Sequence, residues 1–61
     1  MSMAIQTAVN VALEWWRCTG KRTLARLDAL CDQQAQVAGL QQYAATIREL
    51  AHSKVREWEV E

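Results

Sequence analysis

Ala35-Gln36-Val37-Ala38-Gly39-Leu40-Gln41-Gln42 is the stretch on which the architecture turns. Upstream of it, Leu24, Leu27, Cys31, Ala35 and Ala38 recur at helical spacing, flanked by Leu30 and Val37. Downstream, Leu40, Tyr43, Ala44, Ile47, Leu50, Ala51, Val55 and Trp58 do the same, with Gln41 and Gln42 off the stripe. A glycine inside one uninterrupted helix costs only about 1 kcal/mol, so Gly39 alone does not divide the segment. Phase does. In a single straight helix the two stripes would lie about 180° apart, and the helix would need a core on both sides. A break at Gly39 lets both stripes face one core. The pattern therefore predicts two helices, over residues 23–38 and 40–57, packed as an antiparallel corner. Thr23 is the expected N-cap, and Gly39 supplies the positive φ of the turn.

Working outward, Ser2 can cap a further helix over residues 3–19, and Gly20 is expected as its left-handed C′ residue. Ile5, Val9, Ala12 and Trp16 make its central stripe; Ala4, Ala8, Val11 and Trp15 widen it on one side and Leu13 on the other. The resulting arc is about 200° wide, where a helix against one neighbour needs little more than ~100°. Residues Lys54 to Glu61 also alternate, so the C-terminus reads as helix or as a short strand of the kind that forms a wing. The whole is expected to be all-α, one domain over residues 1–61, in which the first helix covers the corner made by the other two.

The chain has 61 residues, 51% of them apolar and 23% charged, with no proline and two glycines. That composition folds, and the scarcity of breakers favours long helices. A domain this small buries only about 60% of its unfolded surface, which favours a partner or a second copy. Seven Lys and Arg balance seven Asp and Glu. All seven cations lie between Arg17 and Arg56 against three acids there, Asp28, Asp32 and Glu49. The balance is restored by Glu14 and an acidic tail. The N-terminal segment lacks a cationic start and is broken by Gln6, Thr7 and Asn10, so neither a signal peptide nor a membrane span is expected. Cys18 and Cys31 are too few for a disulfide framework and read as free thiols of a cytoplasmic protein.

Catalytic and metal signatures are absent from the pattern. His52 is the single histidine, and its spacing from the two cysteines fits no zinc motif. Cys31 lies on the apolar stripe, where it acts as a small hydrophobe rather than as half of a Cys–His dyad. No phosphate-binding glycine loop, nucleophile elbow or cofactor motif occurs. No enzyme activity and no cofactor are expected.

Two functional candidates remain. The first is an interaction surface on the first helix. Trp15 and Trp16 are adjacent and point about 100° apart, so both cannot face one core. Trp16 is mid-stripe; Trp15 is the better contact for another subunit or partner, since tryptophan is enriched in binding hot spots. The wide arc predicts a homodimer through Ile5, Ala8, Val9, Ala12, Trp15 and Trp16, with an additional, unidentified protein partner. The second candidate is DNA binding. Ala35-x-x-x-Gly39-Leu40 followed by Thr46-Ile47-Arg48-Glu49-Leu50 resembles the helix-turn-helix and winged-helix DNA-binding domains over about a third of the chain. Gln34, Ala45 and Arg48 stand where that family places apolar residues. The resemblance implies contacts to bases or phosphates from Thr46, Arg48, Lys21, Arg22 and Arg26.

Over its full length the chain resembles the short accessory proteins of the early regions of lambda-like temperate phages. The runs Ala12-Leu13-Glu14-Trp15-Trp16 and Leu40 to Leu50 carry that likeness, which is one of style and brings no site residues. It implies a role in binding host or phage proteins, as a regulator rather than a catalyst.

Overall fold

The computed structural model describes residues 3–20 and 22–60, with the side chains of residues 59 and 60 left aside. Three helices make the fold: α1 (Met3–Cys18), α2 (Leu24–Val37) and α3 (Ala44–Val60), with a single 3-10 turn over Gln41–Tyr43 leading into α3. Each helix packs on both of the others. Asp28 of α2 meets His52 of α3, and Asp32 meets Arg48, so these two helices run antiparallel. No strand occurs among the described residues. None of their helices is long and apolar enough to cross a membrane.

The core is built from one stripe per helix. Ile5, Ala8, Val9, Ala12, Leu13 and Trp16 come from α1; Leu27, Leu30, Cys31 and Ala35 from α2; Ile47, Ala51 and Val55 from α3. Leu40, Ala44 and Leu50 pack against its edge. Leu27, Ile47, Val9 and Cys31 are fully enclosed, and burial of a leucine or isoleucine contributes about 1.5–3 kcal/mol. The small side chains at Ala12, Cys31, Ala35 and Ala51 let the three backbones approach closely. No polar or charged residue is buried among those described.

The turn between α2 and α3 follows from Gly39, whose φ is +71°. The Leu40 N–H donates to the Ala35 carbonyl at 2.7 Å and the Gly39 N–H to that of Gln36 at 3.2 Å. These are the two hydrogen bonds of a Schellman motif, with Leu40 as the apolar residue that folds back on the core. The predicted start of the third helix at residue 40 is corrected accordingly. Leu40 is spent on terminating α2, its φ of −113° and ψ of 32° are not helical, and regular α geometry begins only at Ala44.

Two further expectations change. Gly20 is not left-handed; Gly39 is the positive-φ glycine among the described residues. Helix α1 ends instead at Cys18 and is closed by Thr19, whose N–H and hydroxyl both donate to the Trp16 carbonyl, at 3.3 and 2.8 Å. The C-terminal segment is helical through Val60, so the wing-like strand does not form. The predicted cap at Ser2 and the last residue, Glu61, lie outside the described residues. At Thr23 the expectation holds: the hydroxyl accepts from the Arg26 N–H at 3.2 Å. Its carbonyl accepts the Leu27 N–H and also the Trp16 indole Nε1–H, at 2.8 Å. One residue thus caps α2 and pins the end of α1 to it. Both cysteines are free thiols.

Candidate interaction surface

The α1 arc divides in two when the bundle closes. Five of the six residues expected at a subunit interface, Ile5, Ala8, Val9, Ala12 and Trp16, are buried within the chain's own core. They pack against α2 and α3 and are not presented to a second copy. Trp15 is the exception, at 55% exposed. Beside it on the same flank lie half-buried Val11 and the exposed residues Ala4, Thr7 and Cys18. A shallow hollow of about 500 Å³ lies here, lined by Val11, Glu14, Trp15, Cys18 and Thr19, with Glu14 its single charged residue. The flank exists because three helices around one core can each bury only part of their circumference. The apolar arc of α1 is wider than that part.

The predicted nucleic-acid set does not converge. Arg22, Arg26 and Thr46 are exposed, while Arg48 is half-buried and its Nη1 donates to Asp32 Oδ1. Thr46 and Arg48, two residues apart, project from α3 about 160° from one another. Arg26 lies six residues before Asp32, hence about 9 Å along α2 and about 120° around it from the level of Arg48. Lys21 lies outside the described residues. Arg48, one of the cations expected to contact nucleic acid, is thus engaged by a carboxylate of its own fold.

Between α2 and α3 runs a cleft of about 700 Å³ whose walls carry Asp28, Glu49, Arg48, His52 and Arg56 over Leu24, Ala45 and Val55. His52 Nε2 lies 2.6 Å from Asp28 Oδ1. The carboxylates at residues 28 and 32 and their partners at residues 52 and 48 are each one helical turn apart, so two rungs form in register. That i, i+4 match on two helices was the signal in the sequence, overlooked because neither pair is close along the chain. The Cys31 thiol beneath the rungs is fully enclosed. Burial first, then the Asp28 and Asp32 charges, push it up to about 11, partly opposed by Arg48. Enclosed in this way, it packs within the core. At the end of the bundle the Arg17 guanidinium sits 5.1 Å from the centre of the Trp58 ring, a cation–π contact between α1 and α3. Trp58, Leu24 and Tyr43, assigned to apolar stripes by their spacing, are exposed. Among the described residues no three His, Cys, Asp or Glu side chains gather to hold a metal ion.

No protein-family model, curated protein or solved structure matches the chain.

Proposed function

We propose that this chain is a non-enzymatic protein-interaction module, a cytoplasmic accessory regulator of the temperate-phage kind, that works by docking through the exposed flank of α1. The observation that carries this reading is the 55% exposure of Trp15 on a flank with one charged neighbour, Glu14. A tryptophan costs little side-chain entropy to immobilise and offers a large contact area, which is why it anchors interfaces. Affinity capture from native-host lysate, run in parallel with wild type, Trp15→Asp and Trp58→Ala, tests it. The expected result is a specific partner retained by wild type and Trp58→Ala and lost with Trp15→Asp. A partner retained equally by all three refutes the assignment of the flank.

A second reading, a helix-turn-helix-like DNA binder, draws on the Gly39 corner and on the exposed Thr46 in the first turns of α3. It is weakened by the Arg48–Asp32 pair and by Glu49 exposed on α3. A salt titration against mixed duplex DNA tests it, since phosphate contacts are strongest at low salt. Absence of binding at ~50 mM salt removes it.

A further inference from the structure

Ala45, Glu49, His52 and Arg56 follow one another along α3 at intervals of four, three and four residues. That is the spacing of a coiled-coil seam, and it holds the four within about 60° around the helix. All four line the cleft between α2 and α3, and Ala45, Glu49 and Arg56 are exposed. The charges on this line differ in what they meet. His52, like Arg48 beside it, is held by a carboxylate of α2. Glu49 and Arg56 have no ion-pair partner among the described residues. The register of the two rungs, Asp32 with Arg48 and Asp28 with His52, sets Leu24 level with Arg56, where a third carboxylate would stand. Leu24 is 52% exposed there. The cleft thus leaves open one anion, one cation about 10 Å from it along α3, and one leucine beside the cation.

An occupant has to answer that order of charges. A nucleic acid or an anionic membrane would meet Glu49. A helix answers it by carrying a cation and an anion seven residues apart. In α1, Glu14 and Arg17 are three apart; in α2, Arg26, Asp28 and Asp32 include no opposite pair seven apart. In α3, Glu49 and Arg56 are that pair. We infer that α3 of a second copy fills the cleft, antiparallel about a two-fold axis between His52 and Ser53, so that Glu49 of each copy meets Arg56 of the other. The two residues that create the demand also supply the answer, and the two-fold satisfies it twice. A parallel pair would set Glu49 against Glu49 and Arg56 against Arg56. The same register brings Leu24 within one turn of Ala45 of the second copy, so an apolar side chain left in solvent by the bundle is covered. Exposed pairs of this kind fix partner and register more than strength. The surface is separate from the Trp15 flank, since the two hollows share no lining residue.

Charge exchange tests the pairing. Sedimentation equilibrium from about 10 μM to 1 mM, at ~50 mM salt, should take wild type from monomer to dimer. Glu49→Lys alone sets cation against cation and Arg56→Glu alone sets anion against anion, and each should weaken dimerisation about tenfold or more. An equimolar mixture of these two variants should recover it, because every introduced charge then meets its opposite on the other chain. The double variant Glu49→Lys/Arg56→Glu should recover it as well. Lys54→Glu changes the net charge as Arg56→Glu does, but from the far side of α3, and should leave the dimer intact, as should Trp15→Asp. Leu24→Ala should weaken it. All proteins are checked for helix content by circular dichroism first. A wild type that stays monomeric at 1 mM overturns the inference. So does a dimer indifferent to both single charge changes, a mixture that fails to recover, or a dimer lost with Trp15→Asp. Loss of a captured partner with Trp15→Asp bears on the α1 flank alone, so the two surfaces fail or stand separately.

Discussion

Gly39→Ala isolates the backbone term at the corner. An ideal Cβ at Gly39 meets no atom within 4 Å, and neither does one at Gly20, so sterics cannot distinguish the two sites. Conformation does: Gly39 has φ +71° and Gly20 lacks a positive φ. An L-residue forced into the left-handed region costs about 1–2 kcal/mol. Replacing glycine also removes about 0.4–1 kcal/mol of unfolded-state entropy, which acts in the opposite direction. The balance for Gly39→Ala is a loss of about 1 kcal/mol. Gly20→Ala has no strain to offset the entropic gain and should stabilise by about 0.4–1 kcal/mol. In a domain of 61 residues each kcal/mol moves Tm by about 4–8 °C, so the two variants should bracket wild type in circular dichroism melts at 222 nm. A synthetic chain with D-alanine at position 39 makes the test sharper. The D-residue is at ease at φ +71° and should raise Tm, although its side chain has the same volume as that of L-alanine. Opposite signs for the two enantiomers are required. If both lower Tm, the cost at Gly39 is not backbone strain, and the Schellman account of the turn fails.

Four other predictions follow from the packing. Trp16→Phe keeps the ring in the core but deletes the indole donor to Thr23, and should lower stability by about 1 kcal/mol in urea titrations, against the 3–5 kcal/mol of Trp16→Ala. Cys31 is pushed up to about 11 in the folded chain, from an ordinary value of 9.0. Its contribution is therefore complete below about pH 9 and is lost as pH rises towards 11, a fall of about 3 kcal/mol that Cys31→Ala should not show in urea unfolding across that range. At neutral pH, a thiol reagent should modify exposed Cys18 in the native protein and reach Cys31 only on unfolding. A double-mutant cycle on Arg48 and Asp32, whose side chains are 37% and 51% exposed, should return a coupling of only about 0.5 kcal/mol, falling further in 1 M salt. A coupling near 3 kcal/mol would mean the pair is far more desolvated than its exposure indicates.

The helices were legible because their stripes repeat at helical spacing and because a phase jump at Gly39 forbids one continuous core. The Thr23 cap was legible from its position alone, since its hydroxyl acts within three residues. What escaped was decided over longer distances. Gly20 looks like a C′ residue by every local criterion, yet Trp16 reaches Thr23 with its indole and Thr19 folds back onto the Trp16 carbonyl, ending the helix without a left-handed residue. The start of α3 was misplaced by four residues for a related reason: Leu40 is used by the preceding helix. The apolar arc of α1 was measured correctly, but five of the six residues assigned to a subunit contact are taken by the chain's own core, and Trp15 alone is left at the surface. Counting apolar residues gives the width of a sticky face and does not say how much of it the chain's other two helices cover.

By itself, then, the sequence determined that this protein is three helices with breaks near its two glycines, because hydrophobic period and turn chemistry are local properties of the chain. It also determined that α1 carries more apolar surface than one neighbouring helix can take. Only the tertiary structure decided which part of that surface is spent. Closing three helices around Leu27, Val9, Cys31 and Ile47 buries Trp16 and leaves Trp15, one residue away, in solvent. It also sets Asp28 and Asp32 opposite His52 and Arg48, so that Arg48 meets a carboxylate of its own fold at the surface. Adjacent residues on a helix point about 100° apart, so it is the rotation of α1 against the bundle that decides which of the two is core and which is surface. That rotation is set by packing volume summed over all three helices, which no single stretch of sequence contains.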